Sequence, residues 1–245
     1  MGAKAPLILE DKMYNKGKTI MVYLLNVDNY EPEVTKITYP LIYAYADKIG
    51  AKVHKITKRK FPGTPPVYEK LQIYELAQKY NADWNIYIDS DTLIHPDFID
   101  ITNHISKDTV VHNGKDLADH RWRYDRYFYR DGRNIGSCNW WAIASDWCID
   151  LWKPLDDITI EEAVSRIYPT VGEINGVVKP EHLIDDFTLS RNIARFGLKH
   201  KTMIDIMKSL GYEKGNFFLW HAYNIPEDQK ITQMNAVLAQ WGVKR

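Results

Sequence analysis

Apolar residues in the first part of the chain form short continuous runs that alternate with segments of helical spacing. Residues 20–26 are a continuous run rich in β-branched and aromatic side chains, which predicts a buried strand of a parallel sheet. Residues 32–49 repeat apolar side chains at helical spacing, with Pro32 in the first turn and Gly50 just after the end. Because residues 52–57 predict a second strand, the three segments together predict a βαβ unit.

A second helix and a third strand continue this pattern. A loop with three prolines covers residues 58–66, and residues 67–80 return to helical spacing. Residues 84–88 predict a buried strand that ends in Asp89-Ser90-Asp91. The first ~95 residues therefore predict an alternating α/β arrangement.

The alternation weakens in the rest of the chain, which includes a loop-rich stretch at residues 113–133. We expect strands at residues 108–112, 137–144 and 217–220 and helices at residues 145–153, 161–168, 185–196 and 226–241. No internal repeat, low-complexity tract or linker divides the sequence. We therefore expect a single α/β domain with a Rossmann-like first half and a more irregular second half.

The composition is that of a soluble globular protein and argues against several functional classes. The chain of 245 residues is 45% apolar and 26% charged, and its 32 basic residues balance 32 acidic ones. Because proteins that bind nucleic acids usually carry an excess of basic residues, we expect no nucleic-acid partner. Two cysteines provide neither a zinc ribbon nor a disulfide scaffold. Residues 1–19 do not match a signal peptide, and no apolar run approaches the ~20 residues of a membrane helix, so we expect a cytoplasmic protein with no membrane span.

Two carboxylates at the end of the third predicted strand are the most informative residues in the sequence. Ligands of open parallel sheets bind beyond the carboxyl ends of the strands, where Asp89 and Asp91 lie. Residues two apart in an extended segment point the same way, so the two side chains would repel each other without a cation between them. Hard oxygen ligands suit Mg²⁺ or Mn²⁺ and leave positions open for phosphate oxygens. Asp-Ser-Asp is also good turn chemistry, so an ordinary turn or helix cap is the alternative.

These carboxylates belong to one of three stretches that resemble the GT-A-fold glycosyltransferases, which use sugar nucleotides as donors. The longest, residues 68–94, is similar to the family's helix, short turn and strand that lead into an Asp-x-Asp motif. Asn134-Ile135-Gly136 is similar to the family's Asn-x-Gly. Residues 185–199 resemble the acidic helix of inverting members, although Asp185 replaces the usual Glu and Asn192 the usual Arg.

The resemblance implies both a fold and an activity. The fold would be a single GT-A-type domain over residues 1–245 with a mixed central sheet, a nucleotide-sugar-binding half at about 18–112 and an acceptor half at about 113–245. The activity would be metal-dependent transfer of a sugar from a UDP-sugar or GDP-sugar to a hydroxyl of a carbohydrate or glycoconjugate. The cofactor would be Mn²⁺ (or Mg²⁺), held by Asp89 and Asp91.

The same resemblance supplies a candidate base at the start of the acidic helix. Transfer to an alcohol requires a group that takes the hydroxyl proton, and the family pattern assigns this role to Asp186. Asp185 would then orient the acceptor. A carboxylate at a helix N-terminus is held rigidly, although the helix dipole lowers its basicity. The alternative is that the two aspartates form an ordinary N-cap.

His221 follows a short apolar strand and is the third candidate metal ligand. Several GT-A families that retain the donor sugar's configuration supply a C-terminal His to the metal, and imidazole favours Mn²⁺ over Mg²⁺. The Gly and the Lys-Pro-Trp that follow this His in those families are missing, because residues 222–226 read Ala-Tyr-Asn-Ile-Pro. An inverting displacement is therefore the primary hypothesis, and a retaining enzyme is the nearest rival. A structural His is the simpler alternative.

The family holds the base and ribose of its donor in the loop after the first strand, and residues near the second helix and around the Asp-x-Asp motif are further candidates. The candidates at these positions are Asn26, Val27, Asp28, Arg59, Lys70, Asp89 and Ser90. A diphosphate favours Lys or Arg as a partner, which makes Lys70 the candidate for that contact. An ordinary solvated lysine is the alternative.

Aromatic side chains are the candidate contacts for the acceptor. Trp140 and Trp141 are adjacent on a predicted strand, so we expect one to face the core and the other the cleft. Residues 121–133 interleave five Arg with aromatic side chains, which we interpret as an acceptor or lid loop. Nearby aspartates offset the positive charge that a nucleic acid would require.

Two other functional classes are alternatives at this point. Phosphotransferases of the haloacid dehalogenase type also have Asp-x-Asp at a strand end, but they place Thr two residues after the second Asp, where this chain has Leu93. A non-catalytic carbohydrate-binding module would use the aromatic residues, but it would not need a pair of carboxylates at the end of a strand.

Overall fold

Five parts of the chain carry the fold. The computed structural model describes residues 17–113, 139–168, 179–212, 218–222 and 225–243. The predictions for the N-terminal segment, for the 121–133 loop and for Asn134-Ile135-Gly136 lie outside the described residues. Within these ranges, no helix combines the length and the apolar character that crossing a membrane requires.

In the described part of the chain, six strands form a central sheet and two short strands form a separate antiparallel pair. The strands are β1 (Ile20–Leu25), β2 (Lys52–Ile56), β3 (Trp84–Ile88), β4 (Thr92–Ile94), β5 (Thr109–His112), β6 (Trp141–Ser145), β7 (Lys199–Thr202) and β8 (Leu219–His221). The central order is β2-β1-β3-β6-β5-β7, and all pairings are parallel except those of β6 with β3 and β5. β4 pairs with β8. The predicted βαβ unit, the mixed sheet and the α/β class are therefore confirmed.

Helices pack on both sides of the central sheet. The α-helices are α1 (Pro32–Lys48), α2 (Ile73–Tyr80), α3 (Ile160–Ser165), α4 (Ile184–Arg195), α5 (Met203–Ser209) and α6 (Glu227–Gln240). Short 3₁₀ helices cover Val27–Asn29, Pro66–Gln72, Ile101–Asn103, Asp146–Trp152 and Pro180–Leu183. α1 and α5 contribute to one core cluster, whereas α2 and α4 contribute to another.

The two core clusters bury both faces of the central sheet, because successive side chains of a strand point to opposite sides. In β1, Val22 packs with α1 and α5, whereas Tyr23 packs with α2 and α4. Ile86 and Tyr87 divide β3 in the same way. A third cluster joins α1 to α6 and includes Leu93 of β4. Strand β3 is therefore held from both sides, which fixes the position of its carboxyl end.

Some local elements differ from the sequence prediction. The helix expected at residues 67–80 begins as the 3₁₀ helix Pro66–Gln72, in which the buried carboxylate of Glu69 accepts the backbone N–H groups of Lys60 and Phe61 at 2.8 and 3.1 Å. The segment expected as a helix at 145–153 is also 3₁₀. β4, β7 and α5 were not predicted, because segments of 3, 4 and 7 residues are too short to show a period.

Candidate active site

A cleft of about 660 Å³ lies at the carboxyl end of β3. Its walls come from the loop after β1, the start of the 3₁₀ helix Pro66–Gln72, the end of β3, the start of α4, the end of β8 and the start of α6. The charged and imidazole-bearing residues of its lining are Glu31, Asp89, Asp91, His182, Asp185, Asp186, His221 and Lys230. The candidate metal ligands and the candidate base, which are far apart in sequence, therefore share one cleft.

Asp89, Asp91 and His221 are neighbours in this cleft. One ligand atom from each lies within 4.8 Å of the others. His221 Nε2 is 3.1 Å from Asp91 Oδ1 and 3.5 Å from Asp89 Oδ2. The register of the β4–β8 pair explains this arrangement, because it places Thr92, the residue after Asp91, opposite His221.

The three side chains change one another's protonation. Burial alone would lower the pKa of His221, but the carboxylates of Asp91 and Asp89 raise it. Burial would raise the pKa of Asp91, yet His221 and Lys230 hold it well below its usual range. Burial raises the pKa of Asp89 in spite of the opposing charges of Lys70 and His221. The charge of Asp91 is therefore stabilised by neighbouring positive groups of the protein, His221 and Lys230.

The donor set fits a divalent cation. Two carboxylates supply hard oxygen ligands, which suit Mg²⁺ and Mn²⁺ equally, and the imidazole nitrogen favours Mn²⁺. The ligand atoms already face one another across a few ångströms, so an ion between them would relieve the repulsion of the two carboxylates. Asp89, Asp91 and His221 are thus the residues that could hold the metal.

Lys230 of α6 balances part of the charge on Asp91, and sequence reasoning missed it. Its Nζ is 3.0 Å from Asp91 Oδ2 and 2.7 Å from Glu31 Oε2. It also donates a hydrogen bond of 2.7 Å to the hydroxyl of Tyr30, which in turn donates to Asp91 Oδ2 at 3.1 Å. Burial would lower the pKa of Lys230, but its carboxylate partners raise it. A contact across 139 sequence positions has no local signature, so only the fold reveals it.

Lys70 is buried between the candidate metal site and the start of α4. Its Nζ is 2.5 Å from Asp185 Oδ2 and 3.7 Å from Asp89 Oδ1, and it donates to the carbonyl of Asn139 at 3.2 Å. The side chain is 2% exposed and does not line the cleft. The solvated alternative for Lys70 is therefore wrong. Protein groups surround the ammonium in an internal ion pair, and the contact of Lys70 with the diphosphate stays a prediction.

Asp185 and Asp186 lie in the first turn of α4, whose N-cap is Leu183, so neither is the N-cap. Asp185 faces Lys70. Asp186 Oδ1 accepts two hydrogen bonds from Asn139, one from the backbone N–H at 2.9 Å and one from the side-chain amide at 3.0 Å. Both carboxylates line the cleft, and the role of Asp186 as a base stays a prediction.

Trp140 and Trp141 point in different directions, as adjacent residues of an extended segment do. Trp140 lines the cleft and stacks on the ring of His221, with centroids 5.1 Å apart and planes 13° apart. Trp141 is fully buried in the core. Of the two candidate acceptor contacts, Trp141 is therefore corrected to a core residue.

The residues predicted to bind the donor nucleotide fall into two groups. Val27, Asp89 and Ser90 line the cleft, whereas Asn26, Asp28 and Arg59 do not. Asn26 donates to the hydroxyl of Tyr39 at 2.7 Å. Arg59 Nε donates to Asp28 Oδ2 at 3.0 Å, and this exposed ion pair holds both side chains at the loop surface. The structure therefore does not bring Asn26, Asp28 and Arg59 to the site.

Comparison with known proteins supports the fold. No protein-family model matches the chain, and no curated protein matches its sequence. The crystal structure of a glycosyltransferase involved in the glycosylation of the major capsid of PBCV-1 matches with a TM-score of 0.51. The two chains are 10% identical, and the match covers 89% of this chain and 99% of the other. This chain therefore shares its fold with that glycosyltransferase, and at 10% identity the likeness is one of fold alone.

Proposed function

We propose that this protein is a metal-dependent glycosyltransferase, which moves a sugar from a nucleotide-sugar donor to a hydroxyl of a carbohydrate acceptor. The observation that carries the proposal is the cluster of Asp89, Asp91 and His221 in a cleft at the carboxyl end of β3. Open α/β sheets bind their ligands at this edge. The fold shared with the PBCV-1 capsid glycosyltransferase supports the same function.

The cleft has the two kinds of surface that a nucleotide-sugar requires. Apolar side chains of Leu25, Val27, Pro66 and Val67 line it and suit a nucleobase. Asp89, Asp91 and His221 would hold Mn²⁺ or Mg²⁺, which supplies charge to offset the negative charge on the leaving diphosphate. A UDP-sugar or GDP-sugar is the donor class that we propose.

Asp186 is the base in this proposal. Its carboxylate accepts the proton of the acceptor hydroxyl while that oxygen forms a bond to the anomeric carbon. The bond from this carbon to the diphosphate oxygen breaks in the same step, so the configuration inverts. Asn139 supports the role because its two hydrogen bonds hold Oδ1 of Asp186 in place. General-base help of this kind supplies about 10²–10⁴-fold in rate.

The chain would act as one domain with two functional halves. Val27, Asp89 and Ser90, which line the cleft, belong to the donor half at about 18–112. Asp185 and Asp186 belong to the acceptor half at about 113–245. His221 and Lys230 also come from the second half, so both halves contribute to the candidate metal site.

A retaining transfer is the second candidate. The position of His221 beside both aspartates favours it, since several retaining GT-A families supply a C-terminal His to the metal. The anomeric configuration of the product, read by proton NMR of the first turnovers, separates the two. Inversion is the expected result.

Calorimetric titration with UDP, GDP, dTDP and CMP, each with and without Mn²⁺, tests the proposed function. We expect UDP or GDP to bind, and to bind much more tightly when Mn²⁺ is present. If no nucleotide binds with Mn²⁺ and the protein instead hydrolyses a generic aryl phosphate, the protein is a phosphotransferase and the proposed function is wrong.

A further inference from the structure

The two residues before β6, Asn139 and Trp140, contact both the candidate base and the candidate metal ligands. Asn139 donates two hydrogen bonds to Asp186. Trp140 contacts the other side of the site through its ring and its carbonyl oxygen. This short segment is therefore placed to set the geometry of the site without being part of its chemistry.

The ring of Trp140 lies nearly parallel to the imidazole of His221. The centroids are 5.1 Å apart and the planes 13° apart, which is a stacked arrangement. A flat neighbour at this distance restricts rotation of the imidazole about its own side-chain bonds. Nε2 of His221 then stays directed at the two carboxylates, 3.1 Å from Asp91 Oδ1 and 3.5 Å from Asp89 Oδ2.

The main chain of Trp140 holds a second candidate ligand. Its carbonyl oxygen accepts the backbone N–H of Asp89 at 2.7 Å. Ile88 and Trp141 form the last pair between β3 and β6, so this hydrogen bond extends the antiparallel pairing by one residue. Trp141 is buried in the core, so it anchors the segment and fixes where Trp140 begins. One residue thus constrains the backbone of Asp89 and the ring of His221.

We propose that Trp140 is a positioning residue of the candidate metal site, which aligns His221 by stacking and Asp89 by a main-chain hydrogen bond. The proposal rests on the proposed function for the identity of the bound group, a divalent cation. Residues that orient metal ligands typically contribute about 10–100-fold to metal affinity. All three candidate metal ligands are still present in a Trp140 variant. We therefore expect its metal affinity to fall only because the ligands are less well aligned.

Manganese affinity of four proteins, measured by isothermal titration with Mn²⁺ alone, tests this proposal. Trp140→Leu keeps an apolar side chain but removes the flat ring, and we expect its Mn²⁺ dissociation constant to rise about 10–100-fold. Trp140→Phe keeps a flat ring, and we expect it to stay within about threefold of the wild type. Trp147→Leu is the matched control, because Trp147 is 69% exposed and lies outside the cleft lining, and it should bind as the wild type does.

Two further measurements separate positioning from general damage. Circular dichroism and thermal unfolding establish that each variant is folded. If turnover is measured with the acceptor at saturation, saturating Mn²⁺ should restore most of the turnover that Trp140→Leu loses, since that deficit lies in binding the metal. Asn139→Ala should instead lower turnover and leave Mn²⁺ affinity unchanged, because Asn139 holds Asp186.

The outcomes that overturn the proposal are distinct. If folded Trp140→Leu binds Mn²⁺ as tightly as the wild type, or if Trp140→Phe is as weak as Trp140→Leu, stacking does not position the site. If the wild type itself binds neither Mn²⁺ nor Mg²⁺, the metal site of the proposed function fails together with this proposal.

Discussion

The ammonium of Lys70 lies 2.5 Å from Oδ2 of Asp185, and both side chains are almost completely buried. This ion pair joins the 3₁₀ helix Pro66–Gln72 to the first turn of α4, and the same ammonium lies 3.7 Å from Asp89. Burial alone would lower the pKa of Lys70, but Asp185 and Asp89 raise it, so the lysine is charged. The ammonium of Lys70 therefore lies between α4, which carries the candidate base, and the candidate metal site.

Removal of that charge should destabilise the protein. Lys70→Met leaves Asp185 buried without its cation, and breaking a buried pair in this way costs about 3–5 kcal/mol in the free energy of unfolding. Urea unfolding measures the loss. Lys60→Met is the matched control, because it breaks the more exposed pair with Glu75 and should cost less than about 1 kcal/mol. Equal losses for the two variants would contradict a structural role for the buried pair.

Asp186→Asn should separate catalysis from binding. The amide cannot take the acceptor proton, so we expect turnover to fall about 10²–10⁴-fold while Mn²⁺ and nucleotide affinity stay near those of the wild type. Initial rates with donor and acceptor at saturation provide the measurement. Asp97→Asn is the control, since its side chain is 82% exposed, and it should keep full activity. A loss of only a few-fold in Asp186→Asn would show that Asp186 is not the base.

Lys230→Met should tighten metal binding and lower the stability of the metal-free protein. The substitution removes a positive charge 3.0 Å from Asp91 Oδ2, so the carboxylates gain attraction for a divalent cation, by about tenfold in affinity. The metal-free variant should unfold at a lower temperature because Asp91 and Glu31 lose the ammonium of Lys230. Thermal unfolding with increasing Mn²⁺ should then show a larger upward shift than in the wild type.

Lys208→Met controls for the loss of one lysine, because Lys208 is exposed on α5. It should leave the Mn²⁺-dependent shift unchanged. A smaller shift in Lys230→Met than in the wild type would mean that Lys230 assists the cation instead of competing with it.

Acid should weaken a contact at the opposite end of β3. A hydrogen bond from Lys107 and another from the N–H of Thr19 lower the pKa of Asp83 to about 2. A lowered folded-state pKa contributes stability above the unfolded value of about 3.9, and this stability is lost as the pH falls through about 2. The side chain is 34% exposed, so screening limits the contribution to about 1 kcal/mol or less.

The unfolding of Asp83→Asn and of the wild type, compared at several pH values, tests this prediction. The free energy of unfolding of the variant should lie below that of the wild type at about pH 7, and the difference should shrink towards zero at about pH 2. A difference that stays constant over this range would show that the charge of Asp83 contributes nothing.

The sequence predicted the part of the fold that local patterns control. β1 (Ile20–Leu25) is apolar throughout and β3 is apolar except for Asn85, because both faces of these strands are buried, and that property is visible in any single segment. The position of Asp89 and Asp91 follows directly from the end of β3. β4 and β7 escaped prediction because three or four residues do not reveal a period, and the pairing of Thr92 with His221 depends on a partner far along the chain.

The long-range ion pairs of the site could not be predicted from the sequence. Lys70 and Lys230 are ordinary lysines on helical segments when read locally, and only the fold shows that each is buried against an aspartate. The alternation of Trp140 and Trp141 was predicted, but the sequence did not say which of them faces the cleft. That choice depends on the register of β6 against β3, which directs Trp141 into the core.

In the proposed function, Asp89 and Asp91 bind a divalent cation that in turn holds a nucleoside diphosphate. The most direct test compares the wild type with the double variant Asp89→Asn/Asp91→Asn by titrating UDP and GDP with and without Mn²⁺. We expect Mn²⁺ to strengthen nucleotide binding to the wild type and to have no effect on the folded double variant. If the double variant binds the nucleotide in the presence of Mn²⁺ as tightly as the wild type does, Asp89 and Asp91 do not hold the cation.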